Sequence, residues 1–298
     1  MNIAISAQNV RKSFDSLVAV NDVSLEVHVG EVFGLVGPNG AGKTTLIRMI
    51  MDIIRPDAGT IHILGHRITD EDKAHIGYLP EERGLYVKQK VLPVLEYFAC
   101  LKGVDGRQAR INALRWLERL DMTAVKDKKI SELSKGNQQK IQLLSALVAD
   151  PAIVILDEPF SGLDPVNARL VSSIIRELAM AGKTVLLSAH QMGFVETLCE
   201  RVFMIHKGRR VLYGELDEIK RRYSDHAVLV KSTADYDQCP LIERHVPSND
   251  ARKIYLREGV SAREFLTWLL QTGAEVESFE QATTPLEDIF IRLVQETK

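Results

Sequence analysis

The sequence contains few cysteines, no long apolar run and no strong excess of either charge. Among its 298 residues are three cysteines, Cys100, Cys199 and Cys239. Their odd number and wide spacing match neither a disulfide framework nor a zinc site, so we expect a reducing compartment. The formal net charge is −2, and so weak a field does not predict a nucleic acid partner.

Membrane-spanning and targeting signals are lacking as well. The N-terminus does not show the charged and then apolar pattern of a signal peptide. No apolar run approaches the roughly 20 residues that cross a bilayer. Apolar residues make up 45% and charged residues 26%, an ordinary globular composition. If the chain acts at a membrane, we expect a separate chain to span it.

Short apolar runs alternate with helical patterns through the first two thirds of the sequence. Residues 32–36, 152–156 and 183–188 are typical of buried strands, while 45–54 and 91–120 have helical patterns. Strands that alternate with helices predict an α/β core with parallel strands.

The last part of the chain has a different character. Short runs at 228–230 and 253–256 are typical of strands, and two capping boxes, which begin at Ser261 and Thr284, predict two helices. We therefore predict two domains, with residues 1–219 forming the α/β domain and 220–298 a small α+β domain.

The strongest chemical motif is a glycine-rich loop that matches G-x-x-x-x-G-K-[ST] in full. Its backbone N–H groups can point at phosphate oxygens, and the following helix N-terminus favours negative charge. We predict that Lys43 reaches the β- and γ-phosphates of a nucleotide and that Thr44 binds Mg²⁺. A glycine-rich turn without a ligand is the alternative that the full match disfavours. The predicted phosphate-binding residues are Gly37, Pro38, Asn39, Gly40, Ala41, Gly42, Lys43, Thr44 and Thr45.

A second motif is an apolar run, residues 153–156, that ends in Asp157 and Glu158. A strand tip places such side chains at the carboxyl edge of a sheet, where ligands bind in open α/β folds. We predict that Asp157 holds Mg²⁺, directly or through water, and that Glu158 is the base for the attacking water. Standing alone, the pair would equally suit a solvated strand end.

Residues 133–139, Leu-Ser-Lys-Gly-Asn-Gln-Gln, resemble the signature of ATP-binding cassette (ABC) ATPases. Lys135 replaces the usual first glycine of that signature, and Asn137 replaces its glutamine. Ser134 and the Gly136 amide are predicted at a helix start, where they could bind phosphate oxygens. With the resemblance, Ser134, Gly136 and Asn137 become candidate nucleotide-binding residues. Without the other motifs, a plain helix cap would be the simpler interpretation.

Three further positions follow the order of the ABC family. Asp164, in Ser-Gly-Leu-Asp-Pro, resembles the D-loop, and His190 resembles the switch histidine that hydrogen-bonds the γ-phosphate. Phe14 stands where the family has an aromatic residue that stacks on adenine. A buried core phenylalanine is the alternative at that position.

Glu81 departs from the family pattern. It stands where the Q-loop usually has glutamine. A carboxylate can bind Mg²⁺ through oxygen, although it cannot donate a hydrogen bond as an amide does. We therefore predict Glu81, with Thr44 and Asp157, as a metal ligand, while the form of its contact stays open.

The resemblance covers roughly residues 3–220 and implies a P-loop NTPase cassette with a mixed-sheet core and a helical lobe at about 88–150. It implies ATP and Mg²⁺ as cofactors, with Glu158, His190 and Lys43 as the catalytic residues of an ATPase. Residues 82–86 and the tail also resemble the ABC-2, or sodium-extrusion and drug-resistance, exporter branch.

The same resemblance implies partners and a location. Two cassettes would pair head to tail, expected as a homodimer, with each ATP between the phosphate loop of one and the signature of the other. Separate transmembrane permease subunits would carry the cargo, and no nucleic acid partner is expected. The chain would then lie in the cytoplasm on the inner face of the cell membrane.

Two alternatives remain at the level of sequence. One is a soluble ABC ATPase that acts on ribosomes or DNA, although the chain lacks the second cassette or the long coiled-coil insertion of such proteins. The other is a regulatory module that binds ATP without hydrolysing it, which the presence of Glu158 and His190 disfavours.

Overall fold

The structure of the chain, a computed structural model, describes residues 2–82, 84–248 and 250–296. It divides into two compact units, Met1–Leu216 and Asp217–Lys298. Arg83, part of the segment that resembles the exporter branch, lies outside the described residues.

The first unit is built on two sheets. Its strands are β1 (Ile3–Phe14), β2 (Leu17–His28), β3 (Val32–Val36), β4 (Ala58–Ile63), β5 (Ile76–Leu79), β6 (Ile153–Asp157), β7 (Thr184–Ala189), β8 (Arg201–His206) and β9 (Arg209–Glu215). Three of them form an antiparallel sheet of order β2-β1-β4, and six form a sheet of order β5-β6-β7-β3-β8-β9 that is parallel except for β9. The predicted α/β fold with a mixed-sheet core is confirmed.

Helices cover the larger sheet and form a separate group between β5 and β6. Short 3₁₀ turns at Thr123–Val125 and Ile130–Glu132 lie within that group. The helices are α1 (Lys43–Ile50), α2 (Asp70–Ala74), α3 (Val91–Leu101), α4 (Gly106–Arg119), α5 (Lys135–Leu147), α6 (Pro165–Met180), α7 (Met192–Leu198) and α8 (Leu216–Arg222), the last at the boundary between the units.

The central strands explain where functional groups collect. Every residue of β3, β6 and β7 is buried, which suits parallel strands covered on both faces. β3 pairs with β7, and β7 pairs with β6, all in parallel. Their carboxyl ends therefore lie at one edge of the sheet, and the phosphate loop, Glu158 and His190 follow directly from that edge.

Two helix predictions need correction. The first helix runs from Lys43 to Ile50 rather than from 45 to 54, because the chain turns at Asp52, whose φ is +53°. The N–H of Ile53 donates to the carbonyl of Arg48, which closes the helix with a Schellman-type bond.

The helical stretch predicted at 91–120 is two helices, α3 and α4. Gly103, with φ +81°, ends the first helix region. The carboxylate of Asp105 then caps the second by accepting from the N–H groups of Arg107 and Gln108. A single helical pattern in the sequence thus spanned two helices because the break is only four residues long.

The second unit contains a four-stranded antiparallel sheet and two further helices. These elements are β10 (Ala227–Ser232), β11 (Ile242–Ser248), β12 (Ala251–Leu256), α9 (Ala262–Gln271), β13 (Val276–Gln281) and α10 (Leu286–Glu296). The strands lie in the order β11-β12-β10-β13. Phe265 and Leu269 of α9 pack in a core with Val228, Val230 and Ile254 of the sheet.

The capping boxes of the second unit have different outcomes. Ser261 and Glu264 form the predicted reciprocal cap at the start of α9. At the second, the hydroxyl of Thr284 donates to the carbonyl of Tyr223 and accepts from the N–H of Asp225. This hydroxyl therefore ties the chain before α10 to the segment before β10. Across the described residues, the structure contains no helix of the length and hydropathy needed to cross a membrane.

Candidate active site

The phosphate loop leaves the end of β3 and wraps to the start of α1. Two of its glycines have no room for a side chain. A Cβ at Gly37 would lie 2.3 Å from the carbonyl oxygen of Ile205, and one at Gly42 would lie 2.4 Å from that of Ala19. Gly42 also has φ +111°. The loop can therefore take this path only with glycine at both positions.

Lys43 is the first residue of α1 and is only 5% exposed. Its Nζ donates to the carbonyl oxygens of Gly37 at 2.8 Å and Pro38 at 3.3 Å. The same Nζ lies 3.1 Å from Oε1 of Glu158. The loop thus folds around its own lysine and holds the ammonium over the sheet edge.

The three predicted metal ligands approach one another at the start of α1. The hydroxyl of Thr44 donates to Oε2 of Glu81 at 3.3 Å. Asp157 is 1% exposed, and its Oδ2 is buried without a hydrogen-bond partner of normal geometry among the described residues. An orphaned carboxylate oxygen beside a threonine hydroxyl fits the oxygen ligands that Mg²⁺ prefers.

No group of three or more His, Cys, Asp or Glu side chains within the described ranges is arranged to enclose a metal ion. In nucleotide enzymes, Mg²⁺ is usually held by one or two carboxylates together with substrate phosphates. Burial raises the pKa of Asp157, the charges of Glu81 and Glu158 raise it further, and the nearby hydroxyls of Ser188 and Thr44 oppose this. Burial, helped by the charge of Asp157, also raises the pKa of Tyr78 to about 12.

Glu158 follows β6 and has φ +52°, a left-handed conformation that is unusual for a residue with a side chain. Its N–H donates to the hydroxyl of Ser188 at 3.0 Å and to the Ser188 carbonyl at 3.2 Å. Its Oε2 lies 2.7 Å from Nδ1 of His190. Lys43, Glu158 and His190 therefore form a continuous chain of contacts.

A cleft of about 550 Å³ opens beside the phosphate loop. Phe14 lines it and is 45% exposed, so it is not a core residue. An exposed aromatic ring at the cleft can stack on a base. The lining residues are Phe14, Leu17, Val18, Ala19, Asn39, Gly40, Ala41, Gly42, Lys43, Thr44, Thr45, Glu81, Glu158, Lys207 and Gly208.

The signature and D-loop residues lie together, outside the lining of that cleft. Ser134 caps α5 by accepting from the N–H of Asn137, and Asp164 caps α6. Asp164 also accepts from the amide of Asn167, and a Cβ at Gly136 would lie 3.3 Å from that same amide nitrogen. The predicted site residues thus fall into two groups within this unit.

Ser188 also belongs to the candidate site, although the sequence motifs predicted no role for it. It is fully buried, and its hydroxyl donates to Asp157 and accepts from the N–H of Glu158. A serine among the apolar residues of β7 was the available signal, because a buried hydroxyl requires a partner.

Comparison with known proteins identifies the fold and its relatives. Residues 20–161 match the family described as ABC transporter, and residues 214–294 match the C-terminal domain of DrrA1-3-like ATP-binding proteins. The chain is 40% identical over 296 residues to the uncharacterised ABC transporter ATP-binding protein YhaQ of Bacillus subtilis, covering 97% of this chain and 98% of that one.

Other relatives agree with this match. The Nod factor export ATP-binding protein I of Paraburkholderia xenovorans is 34% identical over 97% of this chain and 96% of its own length. A solved ATP-binding subunit of an ABC transporter superposes with TM-score 0.68 at 28% identity, over 74% of this chain and 93% of that one. A dimeric ATP-binding cassette bound to ADP and Pi shares the fold, with TM-score 0.65 over 71% and 98% of the two chains at 24% identity.

Proposed function

The chain belongs to the ABC transporter family as an ATP-binding subunit, and from this premise we propose that it powers an exporter through ATP-driven pairing of two cassettes. As a member of that family it is an ATPase. The observation that carries the proposal is the chain of contacts from Lys43 through Glu158 to His190 at the sheet edge. The exporter direction draws support from the DrrA-like C-terminal match and from the Nod factor export relative.

The contacts suggest how the residues would share the chemistry. Lys43 would bind the β- and γ-phosphates, which compete with Glu158 for the same ammonium. Glu158, once released, would accept a proton from the attacking water. His190 would hold the carboxylate through Nδ1 and leave its other ring nitrogen for the γ-phosphate.

Mg²⁺ fits beside these groups. Thr44, Asp157 and Glu81 would hold it, and a bound Mg²⁺ would offset the negative charge of the phosphates. Phe14 would stack on the base and the backbone amides of residues 39–44 would surround the phosphates. Phe14, Thr44 and Glu81 line one cleft together with the phosphate loop, which supports a nucleotide site in the chain.

The signature group supports a second cassette. Ser134, Gly136 and Asn137 do not line the cleft of their own chain, yet a helix start is suited to phosphate oxygens. Two chains arranged head to tail would bring each signature to the other chain's cleft. We therefore expect a homodimer that acts with separate transmembrane permease subunits at the inner face of the membrane and without nucleic acid.

The variant Glu158→Gln tests this mechanism. It keeps the size of the side chain but removes the basic carboxylate. Hydrolysis should fall by about 10²–10⁴-fold, the usual contribution of a positioned base, while ATP binding survives. ATP would then stay between two cassettes, so sizing chromatography with Mg-ATP should show more dimer than for wild type.

Two variants control the experiment. Glu118→Gln alters an exposed acid on α4 and should leave hydrolysis and size unchanged. Ser134→Arg, added to Glu158→Gln, should remove the dimer by placing bulk where the other chain's γ-phosphate would lie. A wild-type hydrolysis rate in Glu158→Gln would contradict the base, and a dimer indifferent to Ser134→Arg would contradict the head-to-tail arrangement.

The transporter assignment has its own test. The full chain should co-purify from detergent extract with a membrane-spanning protein. Recovery with ribosomes or DNA instead would favour a soluble ABC ATPase.

A further inference from the structure

Two phenylalanine rings stack directly beside the catalytic segments. The rings of Phe160 and Phe194 have centroids 4.0 Å apart and planes inclined by 12°. Phe160 is 5% exposed, and Phe194 is half-buried in α7. Such a close, nearly parallel arrangement is a specific contact between two segments that are distant in the sequence.

Each ring belongs to a segment that carries a proposed catalytic group. Phe160 follows Glu158 by two residues, at the end of β6, and Phe194 follows His190 by four, beyond the end of β7. The N–H of Ser161 donates to the carbonyl of Glu158 at 3.1 Å, so the turn after Glu158 is closed by its own backbone. The ring of Phe160 is thereby fixed to the peptide that bears the base.

Glu158 needs support from its surroundings. Its φ of +52° is an unfavourable conformation for a residue with a side chain. Such a conformation persists only where neighbouring contacts hold it. Hydrogen bonds to Ser188 hold the amide of Glu158 from one side, and the aromatic stack holds the following turn against α7.

We propose that Phe160 and Phe194 are a positioning pair that keeps Glu158 and His190 in the arrangement required for hydrolysis. This rests on the proposed function, which makes Glu158 the base. The stack joins the D-loop segment to the helix that follows His190, so that neither segment can shift without moving the other ring. Neither ring lines the nucleotide cleft, and the pair therefore acts on the rate of the chemical step rather than on ATP binding.

Substitution with leucine separates ring stacking from apolar burial. Phe160→Leu and Phe194→Leu should each lower kcat by roughly tenfold to a hundredfold, because small displacements of catalytic groups have effects of that size. KM for ATP should stay within about twofold. The double variant should be no slower than the single variants, since either change removes the same contact. Phe194→Tyr keeps the ring and should keep the rate.

Val195→Ala is the matched control. Val195 is fully buried in the same helix, next to Phe194, so its truncation tests loss of packing without loss of the stack. It should leave kcat near wild type. Equal losses of kcat in Val195→Ala and Phe194→Leu, or additive losses in the double variant, would show that the rings contribute only general packing.

Hydrogen exchange of the nucleotide-free full chain tests the coupling without reference to activity. In Phe194→Leu, the amides of Ser161 and Leu163 should exchange about tenfold faster than in wild type, although the substitution lies on another segment. Unchanged exchange would overturn the proposal. If exchange responds while wild type hydrolyses no ATP, the coupling stands and the proposed function fails.

Discussion

The ammonium of Lys43 lies 3.1 Å from Oε1 of Glu158, so the cation of the phosphate loop and the proposed base form an ion pair. Both side chains are almost completely buried, with exposures of 5% and 7%. Removing one partner of such a pair leaves the other charge without compensation. The ion pair that we propose a nucleotide separates therefore keeps both buried charges compensated.

Lys43→Ala should abolish the stabilisation of the chain by Mg-ATP. A ligand at a hundredfold excess over its Kd stabilises the folded state by ~2.7 kcal/mol, so wild type should melt at a higher temperature with Mg-ATP and the variant should not. The variant without nucleotide should also lose up to about 3–5 kcal/mol of stability, because the buried Glu158 loses the cation beside it. Differential scanning calorimetry measures both effects.

Lys102→Ala provides the control for Lys43→Ala. Lys102 is also partly buried, and its Nζ donates to the carbonyls of Lys73 and Ile76, away from the phosphate loop. The variant Lys102→Ala should lose some stability but keep the full rise in melting temperature with Mg-ATP. An equal shift in wild type and Lys43→Ala would contradict the role of Lys43.

Glu81→Gln should weaken the response to Mg²⁺ more than the binding of ATP. The Thr44 hydroxyl donates to Glu81, and a carboxylate next to a metal site adds attraction for the cation that an amide lacks. The Mg²⁺ concentration at half-maximal ATP-induced stabilisation should rise by about tenfold, within the range for perturbed metal sites. Glu82→Gln, whose parent side chain is 87% exposed, should not change it. If wild type and Glu81→Gln reach half-maximal stabilisation at the same Mg²⁺ concentration, Glu81 is not a metal ligand.

The parts of the candidate site could be predicted from the sequence because each of them is local. The phosphate loop, the acids at the end of β6 and the cap at Ser134 each occupy a few consecutive residues. Their physical requirements, such as glycine at Gly37 and Gly42, are visible in the motif. Parallel strands then bring the phosphate loop and the two acids to one edge, which the alternation of strands and helices also predicts.

The contacts between distant segments could not be predicted in this way. Ser188 holds Asp157 and Glu158, and Phe194 stacks on Phe160, but no local pattern encodes these pairings. The left-handed φ of Glu158 is equally hidden, since the surrounding contacts impose it against the intrinsic preference of glutamate. Strands β11 and β13 were not predicted because pairing with β12 and β10, rather than a strongly apolar run, defines them.

Asp157→Asn should change how stability depends on pH. Burial raises the pKa of Asp157 in the folded state above the ordinary value of 3.8. The folded chain thus holds this proton more tightly than the unfolded chain, and the contribution of Asp157 to stability falls as pH rises from 3.8 to the raised value. At a pH above the raised pKa, Asp157 no longer makes this contribution to stability.

The variant should therefore be more stable than wild type near neutral pH without nucleotide, and the difference should shrink as the pH falls towards about 4. It should also lose the Mg-ATP shift, since Asp157 is one of the proposed metal ligands. Chemical denaturation across this pH range measures the difference. A variant that is less stable than wild type at neutral pH would show that the Ser188 hydrogen bond outweighs the cost of the buried charge.

Removal of the second unit should leave the nucleotide chemistry intact. All the predicted site residues lie within Met1–Leu216, and the unit Asp217–Lys298 has its own core around Phe265 and Leu269. A chain that ends after Leu216 should keep the Mg-ATP melting shift of the full chain and its sensitivity to Lys43→Ala. Phe265→Ala in the full chain is the companion variant, because it should destabilise the second unit by about 3–5 kcal/mol while the ATP-dependent shift of the first unit persists.

A folded truncation that no longer responds to Mg-ATP, together with a lost shift in Phe265→Ala, would mean that the second unit completes the nucleotide site. The truncated chain could instead keep the Mg-ATP melting shift while its Glu158→Gln variant no longer forms a dimer. That result would assign the second unit to cassette pairing.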